Sequence, residues 1–131
     1  MGHTAFIPKD KFDVEAVKRL VLAHCGQIAG IERPLLEWIA DMNWPVAKEQ
    51  ITILPKFHLE LLPFIAVILD NQEEDIFLKI SIVEQLLPRF PYESVKELAS
   101  QITRLANIDP KDEDELELRE AAINLLSHIR E

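Results

Sequence analysis

Pro34-Leu35-Leu36-Glu37-Trp38-Ile39-Ala40-Asp41 lines up with Pro63-Phe64-Ile65-Ala66-Val67-Ile68-Leu69-Asp70, twenty-nine residues later. Leu54-Pro55-Lys56-Phe57 lines up in the same way with Leu87-Pro88-Arg89-Phe90, thirty-three residues later. Each unit reads as helix, acidic turn, second helix and then Leu-Pro-basic-Phe. A third, looser unit pairs a helix at 92–107 with one at 113–130 through an acidic loop. A lone hairpin cannot bury its apolar face, whereas hairpins stacked side by side share one core. The pattern predicts an all-α fold, a short right-handed stack of antiparallel helical hairpins with about seven helices.

The rest of the chain has the same rhythm, with apolar residues at three- and four-residue steps and almost no strict alternation. Phe6-Ile7-Pro8-Lys9-Asp10 reads as extended, so a single helical domain over 1–131 is expected, with 1–12 as its extended N-terminal segment and helical repeats over 13–131. Asp13 is placed to cap a first helix with the stripe Val14, Val17, Val21 and Cys25, ending near Gly26. Ile31, Leu35, Trp38 or Ile39, and Met42 mark a second helix. Pro45 suits the first position of a third, which buries Val46, Gln50 or Ile51, and Leu54. Pro55 is expected to end it and Pro63 to open a fourth, with Ile65, Ile68 and Leu69 inward. Ile76, Ile80, Val83 and Leu87 mark a fifth helix. Val95, Leu98, Ala99, Ile102, Leu105 and Ala106 mark a sixth, begun either by Pro91 or by a Ser94–Glu97 capping box. Leu118, Ala122, Leu125 and Ile129 share a face of the last.

With 131 residues, 48% of them hydrophobic, the chain has enough apolar material for one continuous core. Its formal net charge of −9 disfavours general binding to phosphate backbones, so no nucleic-acid partner is expected. Segment 109–120 holds seven acids against Lys111 and Arg119. It reads as a solvated loop leading into a helical turn where carboxylates suit the dipole, with a basic partner as the alternative. One cysteine rules out an internal disulfide and a cysteine-based zinc site, which fits a reducing compartment. No apolar run approaches the ~20 residues that span a bilayer. Met1-Gly2-His3-Thr4 lacks the basic-then-apolar start of a signal peptide. A cytoplasmic location without membrane attachment is expected.

Residues able to carry chemistry are sparse. His3, His24, His58 and His128 form no metal-ligand spacing, so no metal or cofactor is expected. His24 and Cys25 are neighbours, and neighbours on a helix point about 100° apart, poorly placed as base and nucleophile. Ser81, Ser94, Ser100 and Ser127 lie outside any Gly-x-Ser-x-Gly elbow. Glu73-Glu74-Asp75 is better explained as a cap for the next helix than as an acid–base pair. No catalytic residue is assigned.

Asp41-Met42-Asn43-Trp44-Pro45-Val46-Ala47-Lys48 resembles the turn and second-helix start of HEAT repeats, which implies a HEAT-like α-α superhelix. Leu36 to Ala47, the opening Ile7-Pro8-Lys9-Asp10-Lys11-Phe12-Asp13 and Leu86-Leu87-Pro88-Arg89-Phe90-Pro91 together resemble the bacterial domain-of-unknown-function family 5071. The resemblance runs from about Ile7 to the last helix, and Asp-Met-Asn-Trp-Pro is its most specific part. It implies a small helical protein and no particular activity. Phe57-His58-Leu59-Glu60 departs from it where a glycine is expected.

Trp38, Asp41, Asn43, Trp44 and Lys48 are the candidate protein-binding residues, because tryptophan buries a large area while its N–H keeps a partner. The competing reading is structural, with Asp41 and Asn43 capping the third helix, Trp38 on the apolar stripe and Trp44 stapling the corner. In a HEAT-like stack the second helices line the inner surface, which makes Lys48, Gln50, Lys79, Glu84 and Arg119 candidate contacts. The leading expectation is a non-enzymatic protein–protein interaction module. The alternatives are an acidic immunity or antitoxin-type protein that neutralises a basic toxin, and an enzyme with a small-molecule site in the inner groove. Homodimerisation through exposed apolar edges stays open.

Overall fold

A computed structural model describes residues 5–129, and among these every regular element is helical. The α segments are α1 (Val14–Val21), α2 (Glu32–Glu37), α3 (Pro45–Ile53), α4 (His58–Asp70), α5 (Ile76–Ser81), α6 (Tyr92–Lys96), α7 (Ala99–Ala106) and α8 (Glu113–Ile129). Because α3 and α4 are joined by a 3-10 turn, Leu54–Phe57, they form one continuous helical run, leaving seven helical bodies among the described residues. One apolar cluster extends from Leu20 to Leu126 and takes members from every one of these segments, α3 contributing Ile51. α7 packs along α8 more extensively than any other pair, α5 also lies on α8, and α4 contacts α2, α6 and α7.

Several local expectations change. Residues 5–13 start in 3-10 backbone at Ala5 and Phe6 and go on in bends and a turn instead of an extended segment, with Pro8 buried and Phe6 and Ile7 against the core. His3 lies outside the described residues. Asp13 stands at the N-cap of α1 but caps nothing with its side chain. Its carboxylate accepts from the Lys9 backbone N–H at 3.0 Å, and that bond holds its pKa below the ordinary value. The buried stripe of α1 is Ala16, Val17 and Leu20, while Val21 and Cys25 are exposed. Gly26 sits inside a 3-10 turn, Cys25–Ile28, and Gly30 is the residue with a positive φ of 93°. A side chain there would meet left-handed backbone strain, so of the two described glycines this one is conformationally required.

Neither expected proline boundary around the fourth helix holds. Pro55 occupies the first turn of the 3-10 segment, where a missing N–H costs little. Pro63 lies inside α4 on its exposed side, beside Leu59, whose unpaired carbonyl water can reach. The resulting run, Pro45–Asp70, has 26 residues and an 18-residue window of mean hydropathy 1.7. By length and composition alone it is long and apolar enough to cross a membrane, contrary to the expectation from the sequence. A third of that window is buried within the fold, and Phe57, Leu61, Ile65 and Ile68 are fully enclosed in the core.

The later elements follow their local signals more closely. Asp75 caps α5, its carboxylate accepting from the Phe77 N–H at 2.9 Å. Pro91, not a Ser94–Glu97 box, stands before α6, and a turn at Glu97–Leu98 separates α6 from α7. At α8 the Asp112 carboxylate accepts from the Glu115 N–H at 2.9 Å, and Glu115 accepts from the Lys111 N–H at 3.0 Å. The acidic run thus satisfies helix N-terminal donors that have no partner within the helix.

Candidate functional site

The corner between α2 and α3 follows from Trp44-Pro45. Proline restricts the residue before it to extended backbone, and Trp44 has φ −69° and ψ 138°. Asp41 prepares the turn, its side chain accepting from the Asn43 N–H at 2.9 Å and its carbonyl from the Trp44 N–H at 3.1 Å. Neither Asp41 nor Asn43 caps α3 with a side chain, which corrects the structural expectation. The Val46 N–H instead donates to the carbonyl of Lys11 at 3.1 Å, so the N-terminal segment supplies the cap. Trp38, just past α2, meets Trp44 edge to face, with ring centroids 5.5 Å apart and planes at 61°. Such a pair contributes about 0.5–1.5 kcal/mol beyond burial and holds Trp44 at the rim.

Asp41, Asn43 and Trp44 form one wall of a groove of about 470 Å³. The other wall is Phe77, Ile80 and Ser81 from α5 with Glu84 and Gln85 from the π turn Ile82–Leu86, and Glu117 of α8 closes it. The Ser81 hydroxyl donates to the Ala40 carbonyl at 3.4 Å, tying the two walls together. Glu84 and Glu117 also line a second groove of about 620 Å³, whose sides include Pro88, Tyr92, Glu120 and His128. The two grooves therefore adjoin at Glu84 and Glu117, which line both, and together they make up the acidic channel.

Among the described residues, the channel walls carry the acids Asp41, Asp75, Glu84, Glu117 and Glu120 and no lysine or arginine. Partial desolvation against the groove wall raises the pKa of Glu117, which is otherwise exposed, reinforced by the charge of Glu84, a hydrogen bond with it, and the charge of Asp114. A cation placed between Glu84 and Glu117 would relieve this repulsion. Phe77 (53% exposed), Tyr92 (44% exposed) and half-buried Trp44 add aromatic surface to the channel.

Of the five candidates, three thus share the groove, Trp38 supports Trp44 from behind, and Lys48 is exposed but not part of the groove walls. Of the other expected contacts, Glu84 alone lies in the channel. Gln50 is fully buried and structural, its amide donating to the Leu35 carbonyl at 2.8 Å. Lys79 is buried against a different cavity, and Arg119 is half-buried outside the channel walls. Phe77, Tyr92 and Glu117 were missed. Phe77 had a signal, since it is an apolar residue off the Ile76-Ile80-Val83 stripe, but Glu117 looked like any other member of an acidic run.

The residues considered for nucleophilic chemistry lie apart from the channel. His24 and Cys25 are both exposed, although Cys25 was expected on the stripe of the first helix. His58 Nδ1 and Ser94 Oγ are 2.6 Å apart, with Ser94 only 4% exposed, and the pair latches α4 to α6. A family model described as "Domain of unknown function (DUF5071)" matches residues 6–126. No curated protein matches the chain.

Proposed function

From the premise that this chain belongs to the DUF5071 family, which carries no assigned activity, we propose that it is a non-enzymatic protein–protein interaction module whose channel takes a basic segment of a partner protein. One observation carries this reading: acids from three separate elements converge on a channel walled by Trp44, Phe77 and Tyr92. Guanidinium and ammonium groups pair with such carboxylates and stack on aromatic faces, and arginine does both with a planar fork. An arginine-rich segment is the favoured occupant. The HEAT-like stacking of hairpins is part of the proposal, as are bacterial origin and a cytoplasmic location. The packing of α7 on α8 and of α5 on α8 supports an inner surface built from second helices. An immunity role draws on the same acidity, with the basic segment belonging to a toxin enzyme, and complementary charge would speed its capture.

The test uses the chain's own reporters, because its two tryptophans form the Trp38–Trp44 pair. Titration with a synthetic arginine-rich peptide is expected to change their fluorescence saturably at low salt and to weaken as salt screens the charges. The double variant Glu84→Gln, Glu117→Gln is expected to lose roughly tenfold in affinity. Equal affinity for wild type and double variant, or no preference for the peptide over a neutral analogue of equal length, would remove the proposal.

A further inference from the structure

The two halves of the acidic channel differ in chemistry. The first groove is polar along most of its wall, with Asp41, Asn43, Asp75 and Gln85 around Trp44 and Phe77. The second, about 620 Å³, is mostly apolar. Val83 and Leu87 line it from the π turn and the residue after that turn, and Ala121 and Leu125 from one face of α8. Phe90 and Val95 complete it from the start and the body of the α6 region. None of these six exceeds 7% exposure, so together they form a recessed floor instead of a protruding patch. The Tyr92 hydroxyl donates to the Ile129 carbonyl at 2.9 Å, tying α6 to the end of α8 beside this floor.

Charge is arranged differently from the floor. Glu84, Glu117 and Glu120 stand exposed around the second groove, and none of them is in an ion pair among the described residues. The aromatic surfaces are divided too. The Lys96 ammonium already stands 5.2 Å from the centroid of the Tyr92 ring, whereas among the described residues no cation stands over Trp44 or Phe77. A partner's cation therefore finds free rings in the first groove and free carboxylates at the junction. A purely basic segment would leave the apolar floor in water, and a purely apolar one would strand the carboxylates beside it. A segment carrying both chemistries matches both.

We infer that the second groove is an anchor pocket: the partner's basic segment carries a bulky apolar side chain that seats on the floor around Leu87 and Leu125, beside an arginine held by Glu84 and Glu117 in reach of Trp44 and Phe77. The pocket adds selectivity to a channel read as the site of a basic partner segment, and it rests on that reading. Large side chains that fill recessed apolar pockets inside a polar rim carry most of the energy of protein–protein contacts. The charged rim sets which segments approach, and the floor sets which of them stay.

Calorimetric titration of the folded chain tests this with synthetic peptides that share the same arginines and carry a single phenylalanine, moved through successive positions on either side of an arginine. Serine at the same position is the reference. Phenylalanine at one spacing is expected to tighten binding roughly tenfold or more over serine, because its ring leaves water. Ala121→Leu, which fills the floor, should bring that ratio down to about one. The wild-type series decides the matter even if the variant fails to fold. Equal affinity for phenylalanine and serine peptides, or the same gain at every spacing, would overturn the anchor pocket and leave the basic-segment reading standing. Full affinity retained when citrulline replaces every arginine would instead remove that reading and the anchor pocket with it, as would failure of every peptide to bind.

Discussion

Leu54-Pro55-Lys56-Phe57 and Leu87-Pro88-Arg89-Phe90 both wind into a 3-10 turn, yet the chain leaves them in different directions. Phe57 has φ −104° and ψ 27°, and the helix continues into α4. Phe90 has φ −81° and ψ 156°, and the chain breaks before α6. The residue that follows makes the difference. Pro91 excludes helical backbone at Phe90, whereas His58 places no such restriction on Phe57. Their basic residues diverge too. The Lys56 ammonium donates to the Val21 carbonyl at 2.8 Å, fastening the first turn to the end of α1, while Arg89 Nε donates to Gln85 within its own helix. The first turn is enclosed scaffold, and the second stands on the channel wall through Leu87, Pro88 and Phe90.

The second unit is also longer, with four more residues between its turn aspartate and its Leu-Pro than the first. Part of that length is taken up by the π turn at Ile82–Leu86, which holds Glu84 where the two grooves meet. Such turns accommodate an extra residue in a helix and recur at functional sites. The teaching is that a repeated motif fixes the local turn, and the residues around it decide whether the turn serves as scaffold or as site.

Four substitutions break or sharpen this contrast. The largest expected effect comes from Phe57→Ala, about 3–5 kcal/mol of lost stability in denaturant unfolding, because the ring is fully enclosed. Phe90→Ala is expected at or below the lower end of that range, since Phe90 stays 6% exposed at the channel edge. Equal losses would argue that the two turns are equivalent. Next, His58→Pro places the second turn's break in the first. It removes the His58 N–H bond to Pro55 and the Ser94 contact, and calorimetry should register a loss of about 3 kcal/mol. A smaller drop would mean that α3 and α4 do not need continuity.

The smallest effect is at the second turn's side of the molecule, where Glu117→Gln relieves repulsion from Glu84. Because the folded pKa of Glu117 lies above its ordinary 4.5, ionisation costs stability as pH rises through and beyond that value. The variant should therefore melt about one or two degrees higher at pH 7, with the gain fading as pH falls towards 4.5 and gone well below it, where both states are protonated. The exposure of Glu117 keeps the change small. An unchanged melting temperature at pH 7 would show that the two carboxylates do not feel each other.

Much of the architecture was legible in local chemistry. Pro45 at the start of α3, Asp75 as the cap of α5 and the acidic opening of α8 each satisfy orphan backbone groups within a few residues, so nearby sequence announces them. The joining of α3 to α4 was not legible. Pro55 and Pro63 read as stops, and they are tolerated because one falls in a first turn and the other faces solvent. The candidate site was half legible. Asp41, Asn43 and Trp44 stood out as a turn with an aromatic, but the facing wall did not.

The sequence by itself determined the helical class, the repeated hairpin marks, the family and the excess of acid, because each depends on composition or on spacing within one or two turns. Only the tertiary structure decided that Glu117 meets Glu84 across thirty-three positions and that Gln50 and Lys79 turn inward. The physical reason is that periodicity tells which face of a helix is apolar, while the dielectric and the neighbours of a charged group depend on which other helix comes to lie beside it.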